Sequence, residues 1–237
     1  MKLVHCAVGL TIAIGGSAAL AQTSKYPSRV VRMLVGFSPG GATDIIARLI
    51  SPGLTESLGQ SVVVENRPGA SSQIAGELVA KSAPDGHTLL MTTQTLMTSQ
   101  MIEKRTYPDL ARDFAAVALC ATSPLVLVVH PSLPVRSVKE LIALARARPG
   151  EMNYGSGGVG TTPHLSGELL ATMARLKLVH IPYKGEGPAI VDVLAGHLPF
   201  MFSNVTASNM HVQSGRMRAL AVTGLQRTPA VPGVATL

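Results

Sequence analysis

From residue 30 onward, short apolar runs alternate with amphipathic stretches of helical period, which restricts the chain to an α/β fold of strand-helix units around mainly parallel sheets. Residues 30–37 read as a buried strand. In 42–58, Ile45, Ile46, Leu49, Ile50, Leu54 and Leu58 recur at the spacing of one helical face, with a kink expected at Pro52 and Gly53. Residues 62–65 form a second strand and 72–82 a helix with Ile74, Leu78 and Val79 on one face. Pro84-Asp85-Gly86 then turns into a third strand at 87–92. The nearly continuous apolar segment 115–129 is long enough to pass from one sheet into another, so a second domain is expected to begin there. Within it, Ser137-Val138-Lys139-Glu140 is a capping box ahead of a helix that stops at Pro149-Gly150. A strand at 153–154 enters a glycine loop and a helix at 163–176. Strands at 178–182 and 198–202 then alternate with helices at 188–195 and 206–214, closed by Gly196 and Gly215. A strand at 218–223 leads back. The expected organisation is a discontinuous first domain, 25–114 with 217–237, and a second domain, 115–216.

With 46% apolar residues among 237, the chain can bury enough surface to offset its ordering entropy, which excludes intrinsic disorder. Residues 1–21 read as an export signal cleaved after Ala21: Lys2 precedes the apolar stretch 7–21, which ends in Ala19-Leu20-Ala21. That stretch is shorter than the roughly 20 residues that span a bilayer. Cys6 leaves with the signal, so Cys120 has no intramolecular partner and reads as a small buried hydrophobe within 116–121. The formal net charge is +7, yet Lys104-Arg105 is the only adjacent basic pair and no aromatics interleave with the cations. A nucleic-acid partner is therefore not expected. The dispersed charge serves solubility or attracts small anions.

Two segments share one local design, a strand entering a glycine-rich loop that opens a helix: Phe37-Ser38-Pro39-Gly40-Gly41-Ala42-Thr43-Asp44 and Tyr154-Gly155-Ser156-Gly157-Gly158-Val159-Gly160-Thr161-Thr162-Pro163-His164. Glycine lets backbone approach a ligand closely, and the first amides of a helix favour a negative group. If the loops belong to different domains, they face each other across a cleft. Neither carries the Lys-Ser/Thr ending of a P-loop, and a carboxylate, served by amides plus the hydroxyls of Ser38, Thr43, Ser156, Thr161 and Thr162, suits them better. The candidate ligand-binding set is Phe37, Ser38, Gly40, Gly41, Ala42, Thr43 and Asp44 from the first loop, Thr92 and Gln94 after the third strand, Ser156, Gly157, Gly158, Gly160, Thr161, Thr162 and His164 from the second loop, and Ser203 with Asn204. Asp44 either organises its helix N-terminus or meets an amine on the ligand, as Glu186 would. His164 either contacts ligand or faces solvent.

Gly155, Gly157 and Gly160 also fit G-x-G-x-x-G, so a dinucleotide-binding oxidoreductase is the alternative. The next strand ends in His180-Ile181-Pro182-Tyr183, without the acidic residue such a site uses on the ribose. Ser156 lacks the leading glycine of a nucleophile elbow, the histidines lack metal-ligand spacing, and the carboxylates are scattered. No catalytic residue, metal or cofactor is therefore assigned.

The whole chain after the signal resembles the Bug, or tripartite tricarboxylate transporter, periplasmic substrate-binding proteins. The resemblance rests on Tyr26-Pro27-Ser28-Arg29, Gly40-Gly41-Ala42-Thr43-Asp44, Val64-Glu65-Asn66-Arg67-Pro68-Gly69-Ala70, Ala83-Pro84-Asp85-Gly86, Pro163-His164-Leu165 with Gly167-Glu168-Leu169, Pro182-Tyr183-Lys184-Gly185 and Arg218-Ala219-Leu220-Ala221-Val222-Thr223. It implies two α/β domains closing like a flytrap over a small organic carboxylate, held by the two strand-loop-helix elements through amides and bridging waters. It further implies a periplasmic location, a monomer, no cofactor, and delivery to membrane transporter subunits or a sensor protein. Ser203 stands where the family commonly has the acid of Phe-Asp-Asn, and Ala70-Ser71-Ser72-Gln73 replaces a more glycine-rich stretch. Residues 229–237 resemble a loop inside the family, so the last part of the first domain is expected to be missing, with apolar surface left exposed on the first sheet. A nonfunctional fragment is the third reading.

Overall fold

The computed structural model describes residues 25–104 and 108–237; the export signal expected at 1–21 lies outside the described residues. Among the described residues, eight strands form two sheets. In the first, β1 (Val31–Val35) lies between β2 (Val62–Asn66) and β3 (Thr88–Met91), all parallel. The second has the order β6-β5-β7-β4-β8, formed by β4 (Leu125–Val129), β5 (Met152–Ser156), β6 (Leu178–Pro182), β7 (Phe200–Asn204) and β8 (Arg218–Val222). Strands β5, β6 and β7 run parallel, whereas β4 runs antiparallel to both of its neighbours.

The helices fall where the alternation places them. After β1 comes α1 (Ala42–Leu58), a single helix running through Pro52. Its Ile50, Leu54 and Leu58 pack on Val31, Met33, Val35, Ala47 and Val62, while Leu49, expected on the same face, is exposed. After β2, α2 (Gln73–Ala80) is entered through a left-handed turn at Ala70, Ser71 and Ser72, with φ of 44°, 52° and 76°. Non-glycine residues there cost about 1–2 kcal/mol each. A helix that the periodicity does not show, α3 (Thr95–Glu103), follows β3. The second sheet carries α4 (Val138–Ala147), α5 (Thr162–Ala174), α6 (Glu186–Leu194) and α7 (Val205–Gln213). Ser137 caps α4 by accepting from Glu140 N at 3.2 Å, but the Glu140 carboxylate returns to Arg136 N rather than to Ser137.

The second sheet is buried on both faces, as a sheet covered by crossover helices must be. Along β4, Leu125, Leu127 and Val129 enter one core with Tyr154, Phe200 and Phe202, while Val126 and Val128 enter another with Met201, Ile190 and Val193.

Three expectations are corrected. The strand at 218–223 was expected in the first domain; β8 instead pairs with β4, because its alternating Leu220 and Ala221 find a ready antiparallel edge there. The tail stays with it: Val231 packs in the same core as Val126, and Thr236 bridges to Val222. In the long segment 115–129, only 125–129 is strand. Val117 and Leu119 are 82% and 83% exposed, and Cys120 is exposed rather than buried. Apolar surface is also exposed around the first sheet at Ile74, Leu78, Met97, Met101 and Ile102.

One ion pair ties β1 to β2. Glu65 accepts from Arg32 Nε at 2.6 Å and from Arg32 Nη2 at 2.8 Å, with Arg67 adding a bond at 3.1 Å. These hydrogen bonds, that from Arg32 foremost, hold its carboxyl down from 4.5 to about 2. A depressed carboxyl adds stability that is complete above its ordinary value and is lost as pH falls toward the folded value. Urea midpoints measured at falling pH should therefore drop less steeply for Glu65→Gln than for the native protein between about pH 5 and 2. Parallel curves would contradict the pairing.

Candidate functional site

Both glycine loops leave the carboxyl ends of parallel strands, β1 and β5, and open α1 and α5. This is where open α/β sheets place ligands. The two loops face one another, as expected if they sit on different sheets. Ser38 donates from its amide (2.9 Å) and its hydroxyl (2.8 Å) to Lys184 O. Ser71 Oγ donates to Val159 O at 2.7 Å, Thr98 Oγ1 donates to Gly160 O at 2.6 Å, and Gln94 Nε2 donates to Thr162 Oγ1.

Much of the glycine chemistry serves this contact. A Cβ on Gly160 would stand 2.8 Å from Ser99 N, and one on Gly157 3.1 Å from Glu186 N. A Cβ on Gly155 would run into Leu198 at 2.3 Å. The three glycines that match G-x-G-x-x-G are thus each held against the protein's own atoms. The close approach they permit is to another part of the chain.

Helix α1 begins at Gly41, which offers no side-chain cap. Two carboxylates stand in. Asp44 reaches back to Gly40 N at 3.1 Å, and Glu186, from the first residue of α6, accepts from Ala42 N at 3.3 Å. Asp44 is buried, which by itself raises its pKa; bonds from Arg48 (3.0 Å), Asn66 (2.9 Å) and Gly40 outweigh that and hold it below the ordinary value. Of its two sequence readings, the structure shows the organiser of the helix start. Glu186 is 7% exposed and also takes bonds from Ser203 Oγ (2.8 Å), the Asn204 amide and Asn204 Nδ2 (2.9 Å). Burial pushes its pKa up, against the lowering by these donors.

At α5, Thr161 caps the helix by accepting from His164 N and donates to Gly158 O at 2.7 Å. Ser156 is fully buried, 2.7 Å from His180 Nε2, and accepts from Gly158 N at 3.1 Å. The His164 ring accepts from Gly160 N at 3.1 Å and lies against His180, ring centroids 4.1 Å apart. Burial lowers the pKa of both histidines, that of His180 to about 4. His164 therefore shapes the second loop from behind, neither in the cavity wall nor a solvent-facing side chain.

Between the loops lies a cavity of about 330 Å³. Of the expected set, Phe37, Gly41, Ala42, Thr43, Gln94, Gly157, Thr161, Thr162 and Asn204 line it. Ser38, Gly40, Asp44, Thr92, Ser156, Gly158, Gly160, His164 and Ser203 are outside its wall, holding or closing the loops instead. Sequence reasoning missed Thr93 and Thr95, which neighbour the chosen Gln94, and the wall formed by Leu119, Ala121, Thr122 and Ser123 in the linking segment. Glu186 was singled out as a possible amine partner but left out of the set; it lines the cavity. No lysine or arginine does so among the described residues. Hydroxyls, amides and one helix start on each side suit a small molecule with an anionic or strongly accepting group.

Two α/β units closed on a cavity by loops at the carboxyl ends of their strands define a periplasmic-binding-protein-like fold. Residues 46–237 match the family described as tripartite tricarboxylate transporter family receptor. A UPF0065 protein from the tcbD-tcbE intergenic region of Pseudomonas sp. strain P51 is 41% identical over 97% of this chain and 68% of its own length. Protein BugT of Bordetella pertussis is 40% identical over 100% of this chain and 74% of its own. Among solved structures, Rpa4515 of R. palustris with adipate superposes with a TM-score of 0.86 at 40% identity, covering 90% of this chain and 71% of that one. The chain belongs to the tripartite tricarboxylate transporter receptor family, a family of solute-binding proteins.

Proposed function

We propose that this protein is an exported periplasmic receptor that captures a small organic carboxylate in the cavity between α1 and α5 and delivers it to membrane transporter subunits, without catalysing a reaction. The observation that carries this reading is the cavity itself, which gathers the starts of two helices and the hydroxyls of Thr43 and Thr162 from two different sheets. Such donors stabilise an oxyanion without a metal or a lysine. The adipate in the R. palustris relative supports the same ligand class.

A thermal-shift screen of residues 22–237 against mono-, di- and tricarboxylates, NAD and NADP tests the reading. A ligand at a hundred times its Kd adds about 2.7 kcal/mol, which moves the midpoint of a chain this size by roughly 5–10 °C. The expected result is such a shift with one carboxylate and none with either dinucleotide. A shift with a dinucleotide alone would replace the proposal.

A further inference from the structure

Glu186 is the only formally charged side chain among the described residues that line the cavity. Its two oxygens take four donors: Ser203 Oγ, the Asn204 amide, Asn204 Nδ2 and the Ala42 amide. That number matches the accepting capacity of an ionised carboxylate. The first amide of α1, which lines the cavity, is therefore already engaged by a carboxylate belonging to the chain itself. We propose that Glu186 makes the cavity selective for monocarboxylates over dicarboxylates of equal length, an inference that rests on the carboxylate-receptor reading above.

A monocarboxylate brings one negative group, which the Thr162 hydroxyl at the start of α5 receives, and an apolar body that fits against Phe37, Ile46, Leu119 and Leu125. A dicarboxylate brings a second negative group into a space that holds the Glu186 charge. No described Lys or Arg in the wall offsets it, and a second ionised carboxylate close to the first is disfavoured.

Calorimetric titration of the native protein with matched pairs (butyrate and succinate, hexanoate and adipate, octanoate and suberate) tests the inference. In the pair that binds best, the monocarboxylate should bind at least about tenfold more tightly. In Glu186→Gln, confirmed as folded by circular dichroism, the gap should narrow through a gain for the dicarboxylate. Tighter binding of the dicarboxylate by the native protein, or an unchanged ratio in the folded variant, overturns the role of Glu186 and leaves the receptor reading intact. If the variant does not fold, the native ratio decides alone. Binding of neither member of any pair overturns this inference, while the receptor reading is decided by the wider carboxylate screen.

Discussion

Gly187→Val is expected to remove ligand binding while leaving the unliganded protein folded. Gly187 is the second residue of α6, and a Cβ there would stand 2.2 Å from Pro39 O and 3.3 Å from Gly40 C. Both are backbone atoms, so no side chain can rotate away. The first loop must retreat, and the bonds from Ser38 to Lys184 are lost with it. The buried Ile190 and Val193 of the same helix pack with Val126, Val128 and Met201, which keeps the helix on its own sheet. The affinity should fall at least about 100-fold, or about 2.7 kcal/mol, in isothermal titration. The unfolding free energy without ligand, from urea titration, should change by no more than about 0.5 kcal/mol. Gly41 and Gly157 are the obvious targets from the sequence, but their added Cβ atoms would meet neighbours at 3.2 and 3.1 Å, a milder crowding. Unaltered affinity in Gly187→Val would mean that the closed arrangement is not the binding one.

The largest loss of stability is expected from Phe200→Ala. Phe200 is fully buried on β7, which is paired on both sides, and its ring stacks with that of Tyr154 at 6.0 Å between centroids. The same core holds Leu127, Val129, Leu141 and Phe202, all close to fully buried. Removing an aromatic ring from such packing loses its transfer energy and leaves a cavity, together about 3–5 kcal/mol. Urea unfolding followed by circular dichroism reads this directly. A loss below about 1 kcal/mol would contradict the tight packing of this core.

The two glycine loops and the helices they open were legible because their signals are local. Apolar residues at period 3.6 after an apolar run give α1, and Thr-Pro after glycines gives the start of α5. Helix α3 was not, since Thr95, Ser99 and Gln100 are buried polar residues that break the apolar stripe. The placement of β8 was hidden for a different reason: its apolar alternation suits either sheet, and only the free edge of β4 decides between them. The site divides the same way. Residues next to glycine in sequence were found, whereas Thr122, Ser123 and Glu186 reach the cavity only through the folding of distant segments. His164 and Ser156 carried the right chemistry for a ligand but spend it on their own loop, through Gly160 and Gly158. Ser203, standing where an acid is usual in the family, is explained once Glu186 is seen 2.8 Å away: a hydroxyl donates to that carboxylate, where a second acid would repel it.

The left-handed turn at 70–72 bears on how the two halves meet. Glycine would relax this backbone, and yet residue 71 needs a side chain, because its hydroxyl is what reaches Val159 on the opposite loop. The turn is therefore preset: its conformational freedom is surrendered when the first half folds, so that share of the ordering entropy is not left to be lost when the two halves make their contact through Ser71.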